Sequence, residues 1–475
     1  MIQQKSGKKR WRFMPLRFML YALLYAAFFG IVGLNNWPLW TLSRTAGVTM
    51  LTFTVLLTVM LSVYGGYDIG KRKSKPVISS LIMAVCLTDL VTYVQLQIMN
   101  VNAANNSRLV LLGWDFVLLL GAMAVQILVI ILFTRIGNKL YFDVHPPERC
   151  CIIASSRDAA NHVASKLLRY RLQYTVQDMV IYSASNVRKC ISRSDTVFFA
   201  DIPTEYKTRL FSYCYEQQKN VYVTTDLYDV MVANGRQVVL DDCPFIAMGK
   251  GEMEMHERLM KRIMDIFIST TALILFSPIM LLSAISIFIE DKHPVFFLQK
   301  RMTIQGKVFK IIKFRTMRQD GGAKGPQKSV RQNDERITRV GAFLRKYRLD
   351  ELPQFINIFM GDMSVVGPRP EMLENVEQYK RENPAFAYRQ KMKAGLTGYA
   401  QIEGRYNTTA KDKLMMDLMY IENYSIWMDI KLLLRTFTVF FKSGDSTEGF
   451  TTWNEDYEEK TPFSEELEAN ASEHA

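Results

Sequence analysis

Residues Ile263–Ile289 read IMDIFISTTALILFSPIMLLSAISIFI, an apolar run interrupted in its middle by Ser277-Pro278. About 20 apolar residues suffice to cross a bilayer as a helix, and an interior proline removes a backbone donor and kinks the helix that carries it. Lys261 and Arg262 precede the run; Lys292, Lys300 and Arg301 follow it. Under the positive-inside rule such flanks place both ends on the cytoplasmic side. A re-entrant helix-break-helix that dips into one leaflet satisfies this, and a kinked fifth span is the alternative. Only the re-entrant form keeps the polar segments on either side in one compartment.

Four further apolar runs lie upstream, at about Pro15–Leu34, Val48–Tyr67, Val77–Met99 and Leu109–Thr134. Basic residues precede the first, as in a signal peptide, but three more apolar runs and no small-residue cleavage site follow, so it reads as a retained anchor. Lys5, Lys8, Lys9, Arg10 and Arg12 lie before the first run, and Lys71, Arg72, Lys73 and Lys75 between the second and third. The other two connections carry only Arg44 and Arg108. The arm, the second connection and everything after Arg135 are therefore expected in the cytoplasm. Asp89 and Asp115 are costly in lipid, so they are expected in the bundle interior or near an interface, hydrogen-bonded between helices.

The chain has 475 residues, 49% hydrophobic, with a formal net charge of +13. That charge suits anionic lipid or phosphorylated partners; no helix-turn-helix, zinc-finger or RNA-binding signature accompanies it, so nucleic acid is not expected. The six cysteines show neither CxxC spacing nor a secreted-domain framework and read as inert reduced thiols.

Between the fourth and fifth runs, β-rich stretches (Cys151–Ala154, Val176–Tyr182, Thr196–Ala200, Asn220–Thr224) alternate with amphipathic ones (Ala159–Tyr170, Thr204–Gln217). Strand–helix alternation argues for a parallel, Rossmann-like sheet. Its first strand is followed by Ser155-Ser156-Arg157-Asp158-Ala159-Ala160, without the glycines a dinucleotide fingerprint requires. The expectation is a degenerate module that regulates or dimerises.

Downstream of the interrupted run, cations surround one carboxylate pair. Pro294–Arg301, Gly306–Phe309 and Lys313-Phe314-Arg315-Thr316-Met317 come first, then Arg345-Lys346-Tyr347-Arg348-Leu349-Asp350-Glu351-Leu352-Pro353-Gln354. Gly361-Asp362-Met363-Ser364-Val365-Val366-Gly367-Pro368-Arg369-Pro370-Glu371, Lys393–Gly398 and Gln401–Arg405 complete the series. Adjacent Asp and Glu repel, which raises the pKa of one of them, and a divalent cation relieves that repulsion. Mg²⁺ takes one or two carboxylates plus phosphate oxygens. Arginines recognise phosphate bidentately, and a carboxylate can attack phosphorus to give an acyl phosphate. Singly, an Asp-Glu pair or an arginine is most often a solvated surface feature; the combination carries the reading.

The series, over about Arg258 to Lys442, resembles the bacterial sugar transferases, monotopic phosphoglycosyl transferases acting on polyprenyl phosphate. With four spans and a Rossmann-like module ahead of it, the chain looks like the long members that initiate exopolysaccharide, capsule or O-antigen repeat units. The resemblance implies that Asp350 is the nucleophile and Glu351 its dyad partner, as base or metal ligand, with Asp350 and Glu351 holding Mg²⁺. Ser277-Pro278 matches the break of the re-entrant helix. Lys313, Arg315, Arg369 and Arg405 fall on the substrate phosphates. Arg348 stands where relatives carry a small hydroxyl residue, and Ala394 where they usually carry proline. The implied reaction moves a sugar-1-phosphate from a UDP-sugar to undecaprenyl phosphate through a phosphosugar–Asp350 intermediate, releasing UMP. Rival readings are a catalytically dead sensor and a glycosyltransferase that releases UDP.

The expected fold is thus that of a multi-pass inner-membrane protein with an N-terminal four-helix transmembrane bundle (1–140). A degenerate Rossmann-like α/β cytosolic domain (141–250) follows, then an α/β catalytic domain (256–445) with a re-entrant membrane helix at about 263–289. An acidic tail (450–475) closes the chain. Expected partners are a UDP-sugar, undecaprenyl phosphate, the lipid bilayer and a second copy in a homodimer.

Overall fold

A computed structural model of the chain describes residues 14–65, 74–103, 111–233, 235–248, 253–318, 336–404 and 408–439. It divides into two compact units, the first ending at Thr224 and the second running from Thr225. The acidic tail lies outside the described residues.

The first unit opens with four apolar helices, α1 (Met14–Val32), α2 (Arg44–Tyr64), α3 (Ser74–Ala103) and α4 (Trp114–Val144). Leu24, Phe28, Phe53, Leu57, Leu81 and Ile130 are fully buried between them, while Leu51, Leu120, Leu128 and Ile136 stand exposed. Helices apolar on both the inner and outer face are what a bilayer requires. Arg44–Tyr64, Val77–Asn100 and Trp114–Val144 are long and apolar enough to cross one; in α1 the corresponding stretch, Phe18–Val32, is shorter. The last helix outruns its expected end at Thr134 because Ile136, Leu140 and Val144 continue the apolar outer face. Asp115 accepts from the side-chain amides of Asn35 (2.7 Å), Asn36 (3.3 Å) and Gln97 (3.0 Å). Asp89 accepts from Gln126 at 3.3 Å, and the same amide donates to the Leu24 carbonyl at 3.1 Å. Both acids therefore join helices, as expected from their position.

Next come β1 (Glu148–Ala154), α5 (Arg157–Leu167), β2 (Tyr174–Ile181), α6 (Val187–Arg193), β3 (Thr196–Ala200), α7 (Thr204–Glu216) and β4 (Asn220–Val223). The four strands are all parallel, in the order β2-β1-β3-β4. β1 is buried through most of its length, consistent with its Cys-Cys-Ile-Ile run and helices on both faces. Where a fingerprint would place glycine, Ser156 caps α5, its side chain accepting from the Ala159 N–H. Cys150, Cys151, Cys190 and Cys214 are buried free thiols in this module.

The second unit begins with α8 (Leu227–Ala233) and a hairpin of β5 (Arg236–Leu240) and β6 (Cys243–Ala247). The domain boundary expected near residue 250 is thereby moved: Val230 of α8 is 2% exposed and packs into the same core as Phe309, Ile358, Val365 and Leu418. The elements that follow are α9 (Met255–Asp291), β7 (Phe296–Met302), β8 (Val308–Phe314), α10 (Arg339–Lys346), α11 (Gln354–Met360) and β9 (Ser364–Val366). The unit ends with α12 (Leu373–Glu382), β10 (Gly395–Thr397), α13 (Tyr399–Glu403), α14 (Ala410–Glu422) and α15 (Ile426–Val439).

The interrupted apolar run lies in α9, a single helix of 37 residues that continues through Ser277 and Pro278. The expected break is therefore not a gap in the helix. Pro278 deprives the Ile274 carbonyl of its helical donor, and the Ser277 hydroxyl donates to that carbonyl at 2.8 Å instead. Hydroxyl side chains rescue freed carbonyls in this way within membranes. Phe267, Ile274, Leu275, Leu281, Leu282 and Ile289 of α9 are 62–71% exposed.

The flanking cations also differ from their sequence reading. Lys261, 5% exposed, donates to Asp429 at 2.6 Å and to the Val366 carbonyl at 2.9 Å. Arg262 donates to the Ile358 and Phe359 carbonyls at 2.8 Å each, closing the end of α11. Asp265, inside the run, accepts from Ser364 Oγ (3.0 Å) and the Val365 N–H (2.9 Å). The first turns of α9 belong to the folded domain, because these groups find partners there that lipid cannot supply.

Candidate active site

The carboxylate pair sits on a 3₁₀ turn, Leu349–Glu351, between α10 and α11. The chain enters it through Arg348, whose φ of 54° and ψ of 24° are left-handed. A residue with a Cβ pays about 1–2 kcal/mol for that geometry; the cost falls where the chain must turn sharply between two helices. Asp350 is 8% exposed.

Lys313 reaches the pair from β8. That strand pairs antiparallel with β7 over its whole length, and Phe309 and Ile311 are buried in the core. Asn357 of α11, fully buried, locks the strand to the helix after the dyad: its Oδ1 accepts from the Ile312 N–H at 2.9 Å and its Nδ2 donates to the Lys310 carbonyl at 2.8 Å. Lys313 Nζ then donates to Glu351 Oε1 at 3.1 Å.

Arg369 arrives from the Pro368-Arg369-Pro370 turn after β9. β9 and β10 are parallel neighbours, and a Cβ on Gly395 would lie 2.1 Å from the Gly367 nitrogen, so only glycine permits this approach. Gly367 N–H donates to the Thr397 carbonyl (2.8 Å), and Gly395 N–H to the Pro368 carbonyl (2.9 Å). Two arginines grip the turn from behind. Arg389 donates to the Arg369 carbonyl at 3.0 Å and pairs with Asp417 at 2.7 Å; Arg301 donates to the Pro370 carbonyl at 3.1 Å. Arg369 Nη2 is thereby placed 3.4 Å from Glu351 Oε1.

Burial alone would raise the Glu351 pKa, but Lys313, Arg369 and Arg348 outweigh it and hold the carboxyl well below the usual range. Glu351 is therefore an anion and a weak base. Burial draws Arg301 down to about 10, with Glu371 opposing and Arg369 adding to the effect. Ala394, in the place of a usual proline, uses the N–H that proline lacks, donating to Thr303 Oγ1 at 3.0 Å.

The structure thus gathers Asp350, Glu351, Lys313 and Arg369. Arg315 lies two residues beyond Lys313, half-buried, with its N–H on the Val295 carbonyl. Arg405 lies outside the described residues. Ser277 and Pro278 belong to α9, not to this cluster. Asn357, Arg389 and Arg301 as supports were not anticipated from sequence; a polar residue among the apolar positions of Gln354–Met360 was the available signal for Asn357.

No group of three or more His, Cys, Asp or Glu suited to a metal occurs among the described residues. The dyad supplies two hard donors, the Asp350 carboxyl and Glu351 Oε2, the latter taking part in neither ion pair. That set fits Mg²⁺, which needs only one or two carboxylates when substrate phosphates complete its shell.

Residues 256–443 match a family described as bacterial sugar transferase. The chain is 44% identical over 179 residues to an Aeromonas hydrophila protein named UDP-N-acetylgalactosamine-undecaprenyl-phosphate N-acetylgalactosaminephosphotransferase, covering 37% of this chain and 42% of that protein. It is 37% identical over 222 residues to the Escherichia coli K12 UDP-glucose:undecaprenyl-phosphate glucose-1-phosphate transferase, covering 46% of this chain and 48% of that one. It is 39% identical over 187 residues to exopolysaccharide production protein PSS of Rhizobium leguminosarum, covering 38% of this chain and 93% of that protein. The chain thus spans less than half the length of the first two relatives.

Proposed function

Since the chain belongs to the bacterial sugar transferase family, we propose that it transfers a sugar-1-phosphate from a UDP-sugar to undecaprenyl phosphate, as a first membrane step of polysaccharide synthesis. The observation that carries this is the convergence of Lys313 and Arg369 on Glu351 beside buried Asp350. In the first step an Asp350 carboxylate oxygen bonds to the β-phosphorus, the bond from that phosphorus to the bridging oxygen breaks, and UMP leaves with the electron pair. In the second, an oxygen of undecaprenyl phosphate attacks the same phosphorus and frees Asp350. The product is an undecaprenyl-diphosphate-linked sugar.

Glu351, held anionic, acts by aiming Lys313 and Arg369 at the phosphates rather than by accepting a proton. Asp350 and Glu351 are the residues for Mg²⁺, which supplies neutralisation of diphosphate charge when bound. The exposed apolar length of α9 supports a membrane-embedded helix, and a re-entrant course would keep both of its ends cytoplasmic, where UDP-sugars are made. The parallel α/β module, its helix already capped by Ser156, suits a regulatory or dimerising role.

The deciding experiment is nucleotide release from a panel of UDP-sugars with undecaprenyl phosphate. UMP is expected, abolished by EDTA and restored by Mg²⁺. Release of UDP would mean transfer of the bare sugar, and no release from any donor would remove the enzymatic reading.

A further inference from the structure

Behind the Pro368-Arg369-Pro370 turn lies a recess lined by Thr303, Arg369, Glu371, Phe386, Arg389 and Gln390, among others. Most of its polar groups are engaged. Thr303 Oγ1 accepts from the Ala394 N–H and donates to the Asp362 carbonyl at 3.2 Å. Arg389 is held between Asp417 and the Arg369 carbonyl. Gln390 accepts from Lys380 at 3.4 Å through Oε1, while its amide nitrogen lies 2.8 Å from Met302 Sδ.

Glu371 is different. It is 7% exposed, and among the described residues none hydrogen-bonds or pairs with its carboxyl group. Burial pushes the Glu371 pKa up, against Arg389, Arg301 and Arg369, which pull it down; Asp417 pushes it further up. In either protonation state one oxygen accepts a hydrogen bond. Arg369, whose side chain contacts Glu351, is also among the residues that line the recess.

We propose that Glu371 receives a neutral hydrogen-bond donor of the sugar nucleotide, either a sugar hydroxyl or the imide N–H of the base, and so sets donor specificity. The acidic side chain selects a neutral donor over a phosphate as the occupant. A site built to hydrogen-bond one group discriminates strongly against donors that lack it, because its buried acceptor is then left unpaired. The inference rests on the transfer reaction proposed above.

The test compares wild type, Glu371→Gln and Glu371→Asp as full-length chains with undecaprenyl phosphate, reading nucleoside monophosphate release. One panel varies the sugar (UDP-glucose, UDP-galactose, UDP-N-acetylglucosamine, UDP-N-acetylgalactosamine); the other varies the base on the preferred sugar (UDP, TDP, ADP). Both variants should raise KM for the preferred donor by about tenfold, change kcat less, and flatten the preference within one panel. Flattening in the sugar panel identifies a hydroxyl, and in the base panel the imide. Should Glu371→Gln lose its melting transition, Glu371→Asp, which keeps the charge and withdraws it by one methylene, decides. Unchanged KM and preferences in both panels, or an even fall in kcat across all donors, would overturn the proposal. Wild type that releases nothing from any donor would instead overturn the transfer reaction itself.

Discussion

Glu351 shares one oxygen between Lys313 and Arg369, and the consequences can be measured residue by residue. Asp350→Asn should abolish turnover and leave no labelled protein after incubation with a phosphate-labelled UDP-sugar. Near-normal turnover would remove Asp350 as nucleophile. The folded pKa of Glu351 lies below that of an unfolded glutamate, about 4.3. Its contribution to stability is therefore complete above that value and is lost as pH falls toward the folded value. The difference in melting temperature between wild type and Glu351→Gln should be largest near neutrality and shrink below about pH 4. A difference that ignores pH would contradict the ion-pair account. Asp350, Glu351, Lys313 and Arg369 were legible because each lies in a short run with chemical company. Asn357 and Arg389 were not, since their roles depend on partners 47 and 28 positions away that no local pattern specifies.

Among the elements, α9 departs most from its sequence reading. Its 37 residues rise about 55 Å at 1.5 Å each, against a hydrocarbon core of about 30 Å. Length, apolarity and the proline were visible in the sequence; the anchoring of its first turns was not, because Lys261 and Arg262 look alike as buried clasps and as membrane flanks. Removing Lys261 as Lys261→Met should cost about 3–5 kcal/mol by leaving Asp429 buried and unpaired, with Lys261→Met/Asp429→Leu recovering much of it; calorimetric or fluorescence melting reads both. Ser277→Ala strands the Ile274 carbonyl and should destabilise by about 1 kcal/mol, yet be neutral beside Pro278→Leu, which restores the backbone donor. Equal effects in the two backgrounds would mean that the hydroxyl has another role. For the course of the helix, single cysteines at the exposed positions Leu259 and His293 should both resist an impermeant thiol reagent in intact cells and react in opened ones. Labelling of one in intact cells would mean that α9 spans the bilayer.

At the scale of the whole chain, two compact units meet at Thr224 and Thr225 rather than near residue 250. Strand–helix alternation was legible upstream, but α8 is too short and too ordinary in composition to declare which core it serves. A chain starting at Thr225 should retain UMP release, whereas one starting at Glu254 loses Leu227 and Val230 from the core and should be less stable by about 2–4 kcal/mol, read as a lower melting temperature. Equal melting of the two would return α8 to the upstream unit. The clasp between Lys261 and Asp429 closes over 168 positions of sequence. A ribosome adding about 5–20 residues per second needs roughly 10–30 s to cover that distance. On the membrane course proposed for α9, its apolar part emerges and meets lipid long before α15 exists to hold its polar beginning. On that course Lys261 and Asp265 wait in water at the membrane surface through the interval, and the helix enters the bilayer first and is clasped last.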